Sequence, residues 1–157
     1  MHLLAGLNAA GKTTLARRLQ RSLPAVRFTL DEWMLRLHGL SYEHADYPAA
    51  AAACREVIWD TAVQVLKTGT PVILDWNLWS RERRAEWVSR AADVGAPCVL
   101  HYLKVPLSTA LERGRMRADG TAHRLSPDAI RHLAALFEPP TDWEGFVLET
   151  VIQAERT

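Results

Sequence analysis

The segment from Gly6 to Thr13 reads Gly-Leu-Asn-Ala-Ala-Gly-Lys-Thr, and it matches every fixed position of the pattern G-x-x-x-x-G-K-[ST]. The apolar run at residues 2–5 predicts a short buried strand before it. After it, Leu15, Leu19 and Leu23 recur at helical spacing. A strand, a glycine loop and a helix are the context in which this pattern forms a phosphate-binding loop, so the chain is expected to bind a nucleoside triphosphate.

The residue types of the loop suit a polyphosphate. Gly6 and Gly11 allow backbone conformations that turn successive N–H groups into one concavity at a helix N-terminus. Lys12 is predicted to reach the β- and γ-phosphates, and the Thr13 hydroxyl to ligate Mg²⁺. A glycine turn before an ordinary helix is the alternative, which the preceding strand disfavours. The predicted ATP-binding residues of the loop are Gly6, Leu7, Asn8, Ala9, Ala10, Gly11, Lys12, Thr13 and Thr14.

Predicted strands and helices alternate along the rest of the chain. Further strands are predicted at residues 25–30, 71–75, 98–103 and 146–152. This alternation predicts an α/β fold, with a parallel sheet covered by helices on both faces. A length of 157 residues favours one domain over residues 1–157. The helix predicted at residues 49–67 has an expected buried stripe of Val57, Ile58, Ala62, Val65 and Leu66.

Two aspartates follow predicted strands and therefore belong to the sheet edge where ligands bind. Asp75 ends an apolar run and is predicted to hold Mg²⁺, with a turn-forming aspartate as the alternative. Asp31 is predicted to be the catalytic base that accepts a proton from the substrate hydroxyl, with a helix cap as the alternative. Arg36 and Trp33 are predicted to contact the substrate, with solvation and core packing as their respective alternatives.

Arginines flank a glycine-containing stretch near residue 120. Arg113 and Arg117 are one helical turn apart and are predicted to close over the transferred phosphate as catalytic groups, with Arg113 also contacting ATP. Arg115 and Arg124 are weaker candidates, and a solvated charged face is the alternative for all four. The predicted arginine-bearing lid covers approximately residues 113–126.

The composition and charge of the chain limit the classes of binding partner that are expected. The net charge of +1 gives no reason to expect a nucleic-acid-binding surface. No apolar run approaches the length of a membrane span, so a cytoplasmic protein without a membrane partner is expected. Cys54 and Cys98 lack the spacing of a metal site or a disulfide framework. A monomer or a homodimer fits these numbers.

These motifs together resemble the small P-loop kinases of the AAA_33 and zeta-toxin-like type, the neighbourhood of chloramphenicol phosphotransferase, polynucleotide kinase and gluconate or shikimate kinases. The resemblance implies a three-layer P-loop NTPase sandwich with strand order 2-3-1-4-5 and an arginine-bearing lid. It also implies Asp31 as the base and Arg113 and Arg117 as the lid arginines. No sugar, shikimate or drug-binding signature is reproduced.

The sequence therefore predicts an ATP- and Mg²⁺-dependent kinase that phosphorylates a hydroxyl of a small molecule, such as an antibiotic, a sugar or a nucleotide sugar. A regulatory ATPase without an acceptor is the first alternative. A toxin-type kinase, or a kinase that acts on a nucleic-acid end, is the second.

Overall fold

The computed structural model describes residues 1–40, 42–116 and 125–152. Within these ranges the chain forms strands and helices in the alternating order that the sequence predicts. The elements are β1 (His2–Gly6), α1 (Lys12–Ser22), β2 (Val26–Thr29), α2 (Leu30–Leu37), α3 (Tyr47–Lys67), β3 (Val72–Asp75), α4 (Arg81–Asp93), β4 (Val99–Lys104), α5 (Leu107–Met116), α6 (Pro127–Ala135) and β5 (Val147–Ile152).

The strands form one five-stranded sheet in the order β2-β3-β1-β4-β5. Every neighbouring pair is parallel. This order confirms the α/β class and the P-loop NTPase topology that the resemblance implies. The central strands are almost fully buried because helices cover both faces of the sheet.

Apolar side chains form a separate cluster on each face of the sheet. Alternate residues of a strand point to opposite faces, so neighbours in β1 and β3 divide between the two clusters. The cluster under α2, α3 and α4 includes Leu3, Phe28, Met34, Ile58, Trp59, Leu74 and Trp87. The cluster under α1 and α5 includes Leu4, Leu15, Ala16, Ile73, Leu103 and Ala110.

Two local predictions need correction. The strand predicted at residues 25–30 ends at Thr29, and α2 begins directly after it, so Leu30 belongs to the helix rather than to the strand. Val57 was expected on the buried stripe of α3, and it is 57% exposed. Ile58 and Ala62 are buried as predicted, and Val65 and Leu66 pack against the core while partly buried. The buried face of α3 also includes Tyr47, Ala51, Cys54 and Trp59.

The carboxyl ends of the parallel strands meet at one edge of the sheet. Gly6, Thr29 and Asp75 are the last residues of β1, β2 and β3. The register places Thr29 opposite Asp75. This edge therefore collects the starts of α1, α2 and α4, and it is where the predicted site residues lie. Among the described residues, no helix is both long and apolar enough to cross a membrane.

Candidate active site

The glycine loop between β1 and α1 depends on two glycines. Gly6 has φ +149°, and a Cβ at this position would lie 2.7 Å from the carbonyl oxygen of Leu103 on β4. Gly11 caps α1 with φ +98°, a left-handed conformation that side chains disfavour. Between them the amide of Ala10 donates to the carbonyl of Leu7 at 3.1 Å. The loop thus curls tightly over the N-terminus of α1, where backbone donors favour an anion.

Lys12, the first residue of α1, folds its side chain back across this loop. Its Nζ donates to the carbonyl oxygens of Gly6 at 3.0 Å and Leu7 at 2.9 Å. The charge of Lys12 is also among the effects that lower the pKa of Asp75 and so oppose its burial. The ammonium group therefore lies between the loop and the end of β3.

Thr13 and Asp75 meet, as the sequence predicts for a pair that shares one metal ion. The Thr13 hydroxyl donates to Asp75 Oδ1 at 3.3 Å. Both groups are oxygen donors, which Mg²⁺ prefers, and adjacent ligands of an octahedral Mg²⁺ lie about 3 Å apart. The donor set and its spacing therefore fit this ion, with phosphate oxygens and water as the expected remaining ligands.

The Asp75 carboxylate is almost completely buried, with 3% of its side chain exposed. Burial raises the pKa of this carboxyl above its ordinary value. The hydrogen bond from Thr13, the charges of Arg27 and Lys12 and the hydrogen bond from Thr29 act in the opposite direction. The Asp75 carboxylate is thus shielded from solvent and close to the cationic side chains of Arg27 and Lys12. Such a carboxylate is suited to contact a metal ion directly.

Arg27 on β2 is a site residue that the sequence analysis missed. Its Nη1 lies 3.4 Å from Asp75 Oδ2 and also donates to the Thr29 hydroxyl. Its Nη2 contacts both carboxylate oxygens of Glu32 at 3.1 and 3.2 Å. The available signal was period-two spacing, because Arg27 and Thr29 share one face of β2, shortly before Asp31 in the sequence.

Glu32 connects this arginine to the first helix. Its Oε1 also accepts a hydrogen bond from Arg17 on α1 at 3.2 Å. The resulting network joins α1, β2, α2 and β3 directly beneath the predicted phosphate site. Its effect is to fix the Arg27 side chain against Asp75.

Asp31 lies in the first turn of α2, at the same sheet edge, and it is half-buried. Burial, followed by the charge of Asp31, raises the pKa of Tyr47 to about 12. The Asp31 carboxylate is therefore within electrostatic reach of the first residue of α3. This position is compatible with the predicted role of Asp31 as the catalytic base, and that role stays a prediction.

The two predicted substrate contacts differ in their surroundings. Trp33 is half-buried and packs edge-on against Phe28, with 6.2 Å between the ring centres, which favours the packing alternative. Arg36 is exposed on α2, one residue before its last position. Both roles stay predictions.

The helix that carries the lid arginines approaches the glycine loop. A Cβ on Gly114 of α5 would lie 4.0 Å from the Cβ of Ala9 and 2.5 Å from Cδ1 of Ile130 on α6. The neighbouring Arg113 is half-buried, and Arg115 is exposed. Arg117 and Arg124 lie outside the described residues. The end of α5, where the predicted lid begins, therefore lies beside the glycine loop, with Gly114 close to Ala9.

Arg84 is a second arginine that the sequence analysis missed. It lies on α4, is 0% exposed, and its guanidinium contacts Glu144 at 2.5 and 3.1 Å. It also donates to the carbonyls of Leu78 at 3.2 Å and Glu138 at 2.8 Å. The spacing of Arg84 to Trp87 and Ala91 on the buried face of α4 was the available signal. Arg84 therefore links residues 138–144 to the loop between Asp75 and α4.

A protein-family model described as an AAA domain, AAA_33, matches residues 1–140. No curated protein matches the sequence. Among solved structures, the fold is similar to a chain of the Pnkp1/Rnl/Hen1 RNA repair complex, with TM-score 0.70 and 20% identity over 86% of this chain. The match spans 42% of that chain, so this protein covers less than half of that relative's length.

Two further structures are matched over most of both chains. Kti12 from Chaetomium thermophilum, solved in complex with ADP-AlF3, has TM-score 0.69 and 19% identity, covering 96% of this chain and 88% of that one. A putative kinase from Chloroflexus aurantiacus has TM-score 0.69 and 21% identity, covering 96% and 84%. The chain thus has a kinase-like P-loop NTPase fold.

Proposed function

Because the chain belongs to the AAA_33 family, we propose that it is an ATP- and Mg²⁺-dependent kinase that phosphorylates a hydroxyl of a small molecule. An antibiotic, a sugar or a nucleotide sugar belongs to this class. The observation that carries the proposal is the 3.3 Å contact between Thr13 and the buried Asp75 at the mouth of a complete glycine loop. Such a pair of oxygen donors beside a phosphate cradle suits a nucleotide bound with Mg²⁺.

The residues divide the chemistry between them. The loop amides and Lys12 hold the β- and γ-phosphates, and Thr13 with Asp75 orients the bound Mg²⁺, which supplies charge neutralisation at the phosphate oxygens. Asp31 accepts the acceptor's hydroxyl proton as that oxygen bonds to the γ-phosphorus and the bond to the β–γ bridging oxygen breaks, releasing ADP. Arg113 stabilises the transferred group, and the lid limits the access of water.

The proposal is tested first at the level of nucleotide binding. Lys12→Ala removes the charge that faces the phosphates, so we expect calorimetry with Mg²⁺ and ATP to show at least tenfold weaker binding than in the wild type. Lys67→Ala, at an exposed position at the end of α3, is the matched control and is expected to bind normally. Absence of ATP or GTP binding by well-folded wild-type protein would overturn the kinase proposal.

The base assignment is tested separately. Asp31→Asn keeps the shape of the side chain and removes its ability to accept a proton, so we expect ATP binding to persist while phosphate transfer falls about 100-fold or more. Asp60→Asn, at an exposed position on α3, is the control. Full transfer by Asp31→Asn would remove the base assignment. Hydrolysis without any acceptor across a broad screen would favour the regulatory ATPase.

A further inference from the structure

A cleft separates the first halves of α3 and α4. Its volume is about 450 Å³, within the range of ligand pockets, and Trp87 lines it together with the small side chains of Ala52 and Ala53. Arg55 from α3 and Arg83 from α4 also line it. The two helices thus present one arginine each to the same space.

The cleft lies on the acceptor side of the proposed phosphate site. Helix α4 begins six residues after Asp75, the last residue of β3, and α3 runs back from the same edge of the sheet towards the start of β3. Arg55 follows Tyr47 by eight residues, about 12 Å along a helix. The cleft therefore lies about two helical turns along α3 from the end of that helix where Tyr47 and Asp31 interact.

Electrostatic interactions connect Asp31, Tyr47 and the arginines of the cleft. The pKa of Tyr47 is raised by burial and by Asp31, and Arg55 opposes that shift. The pKa of Arg55 is lowered, first by burial and then by the nearby charge of Arg83. The Tyr47 hydroxyl is thus within electrostatic reach of both the proposed base and the cleft.

Neither guanidinium forms an ion pair or a hydrogen bond with a side chain in the parts of the chain that the structure describes. Arg83 instead stacks over Trp79, with its guanidinium carbon 5.2 Å from the ring centre. Arg55 is half-buried beside a like charge. Arg55 is partly desolvated and Arg83 is exposed. An anion that both guanidinium groups can bind reduces the repulsion between them.

The carboxylates of the cleft act on Arg55 through their charge, since Glu86 and Glu56 oppose the lowering of its pKa, but their direct contacts are with another residue. Glu56 and Glu86 both contact Arg90, with Glu56 at 2.8 and 2.9 Å and Glu86 at 3.3 Å. Glu82 is exposed in the first turn of α4, where the helix dipole favours a negative charge. The anion-binding capacity that is left in the cleft belongs to Arg55 and Arg83.

We infer that the phosphate acceptor carries an anionic group, a carboxylate or a phosphate, which Arg55 and Arg83 bind in this cleft while its hydroxyl lies at Asp31. This inference rests on the proposed kinase function and names the substrate class of that site. The exposed small side chains of Ala52 and Ala53 leave room beside the two arginines for the body of the acceptor.

Anion binding is measured first, because it requires no knowledge of the acceptor. Malonate and inorganic phosphate are titrated separately into protein saturated with Mg²⁺ and a non-hydrolysable ATP analogue, so that the glycine loop is already filled. We expect the Arg55→Met/Arg83→Met double variant to bind the preferred anion at least tenfold more weakly than the wild type. A preference for malonate identifies a carboxylate acceptor, and a preference for phosphate identifies a phosphate ester.

Arg18→Met, at an exposed position on α1, is the matched control and is expected to bind the anion as the wild type does. Thermal melting and affinity for the ATP analogue confirm that the double variant is folded. Equal anion binding by the wild type and the folded double variant overturns the inference and leaves the kinase proposal intact. A wild-type protein that binds no ATP would instead contradict the proposed kinase function.

Transfer is measured second, with Mg²⁺ and ATP against hydroxy acids, hydroxyl-bearing phosphate esters and the neutral counterpart of each. We expect turnover with an anionic member, and a KM for it that rises at least tenfold in Arg55→Met while kcat changes less. Equal turnover of the neutral counterpart, or a requirement for an oligonucleotide end, overturns the small anionic acceptor while preserving the kinase.

Discussion

The Asp75 carboxylate is surrounded by groups from distant parts of the chain. Thr13 contacts one of its oxygens, and Arg27 and Thr29 contact the other. An ionised carboxylate with so little exposure needs hydrogen bonds and opposite charge to replace its lost hydration. Arg27 therefore acts as a positioning residue, because it keeps Asp75 charged and oriented without reaching the phosphates itself.

Replacing Arg27 tests this role. Arg27→Met removes an opposite charge 3.4 Å from Asp75, which is expected to raise the pKa of the carboxyl further. We expect the Mg²⁺ concentration for half-maximal ATP binding to rise about tenfold. Arg27→Lys should restore part of the effect, since lysine keeps the charge and loses the paired contact with Glu32.

The matched control for this prediction is Arg21→Met, at an exposed position in the last turn of α1. It changes the net charge equally and leaves Asp75 untouched. An unchanged Mg²⁺ requirement in a folded Arg27→Met protein would show that the contact has only a structural role.

Helix α4 docks partly through a fully buried polar side chain, Arg84. Arg84 joins its buried face to the segment that contains Glu138 and Glu144. Ser80 caps the same helix, accepting a hydrogen bond from the amide of Arg83 at 3.2 Å. The cap and the buried ion pair together fix the start of α4, and with it one wall of the cleft.

Breaking the ion pair should weaken the whole fold. Glu144→Gln leaves the fully buried Arg84 guanidinium without an opposite charge, and this is expected to lower the free energy of unfolding by about 3 kcal/mol. Asp128→Asn, which alters a surface pair with Arg131, is the control and is expected to change little. Urea unfolding at pH 7 makes the comparison, and coincident transitions for Glu144→Gln and the wild type would contradict it.

For the molecule as a whole, the parallel sheet buries a polar cluster away from the glycine loop. His2 Nδ1 and His101 Nε2 lie 3.0 Å apart, and His101 Nδ1 contacts Glu149 at 2.9 Å. His2, His101 and Glu149 belong to β1, β4 and β5, and their contacts connect these three strands on one side of the sheet. His101 is thus a buried histidine whose two ring nitrogens both have partners.

This cluster predicts how global stability depends on pH. Burial lowers the pKa of His2, and the charge of His101 lowers it further. Burial also lowers the pKa of His101, and Glu149 opposes that shift. Because the unfolded state then binds more protons, stability is present at neutral pH and falls as the pH drops below about 6.5 towards the lowered folded-state values.

Replacing one histidine should reduce that pH dependence. His2→Gln keeps a polar partner for His101 and removes one titrating group, so we expect the slope of unfolding free energy between pH 7 and 5 to fall by up to about 1.4 kcal/mol per pH unit. His38→Gln, at an exposed position, is the control and should retain the wild-type slope. The measurement is urea unfolding at several pH values, and parallel slopes for His2→Gln and the wild type would refute the prediction.

The amino-acid sequence by itself determined the glycine loop, the alternation of strands and helices, and the edge at which Asp31 and Asp75 lie. These features follow from neighbouring residues, whose spacing and backbone preferences act locally. Ser80 and Ser126 are of a residue type that favours the N-cap of a helix, and each accepts a backbone hydrogen bond there. The resemblance supplied the strand order, which local patterns do not contain.

Only the tertiary structure decided which arginines matter. Arg27 meets Asp75 across 48 residues of sequence because Thr29 and Asp75 are in register on adjacent strands. Arg84 meets Glu144 across 60 residues. An arginine in a charged stretch has the same local pattern whether it is solvated or buried. Its role is therefore set by the packing of distant elements, which also brings Arg55 and Arg83 to one cleft.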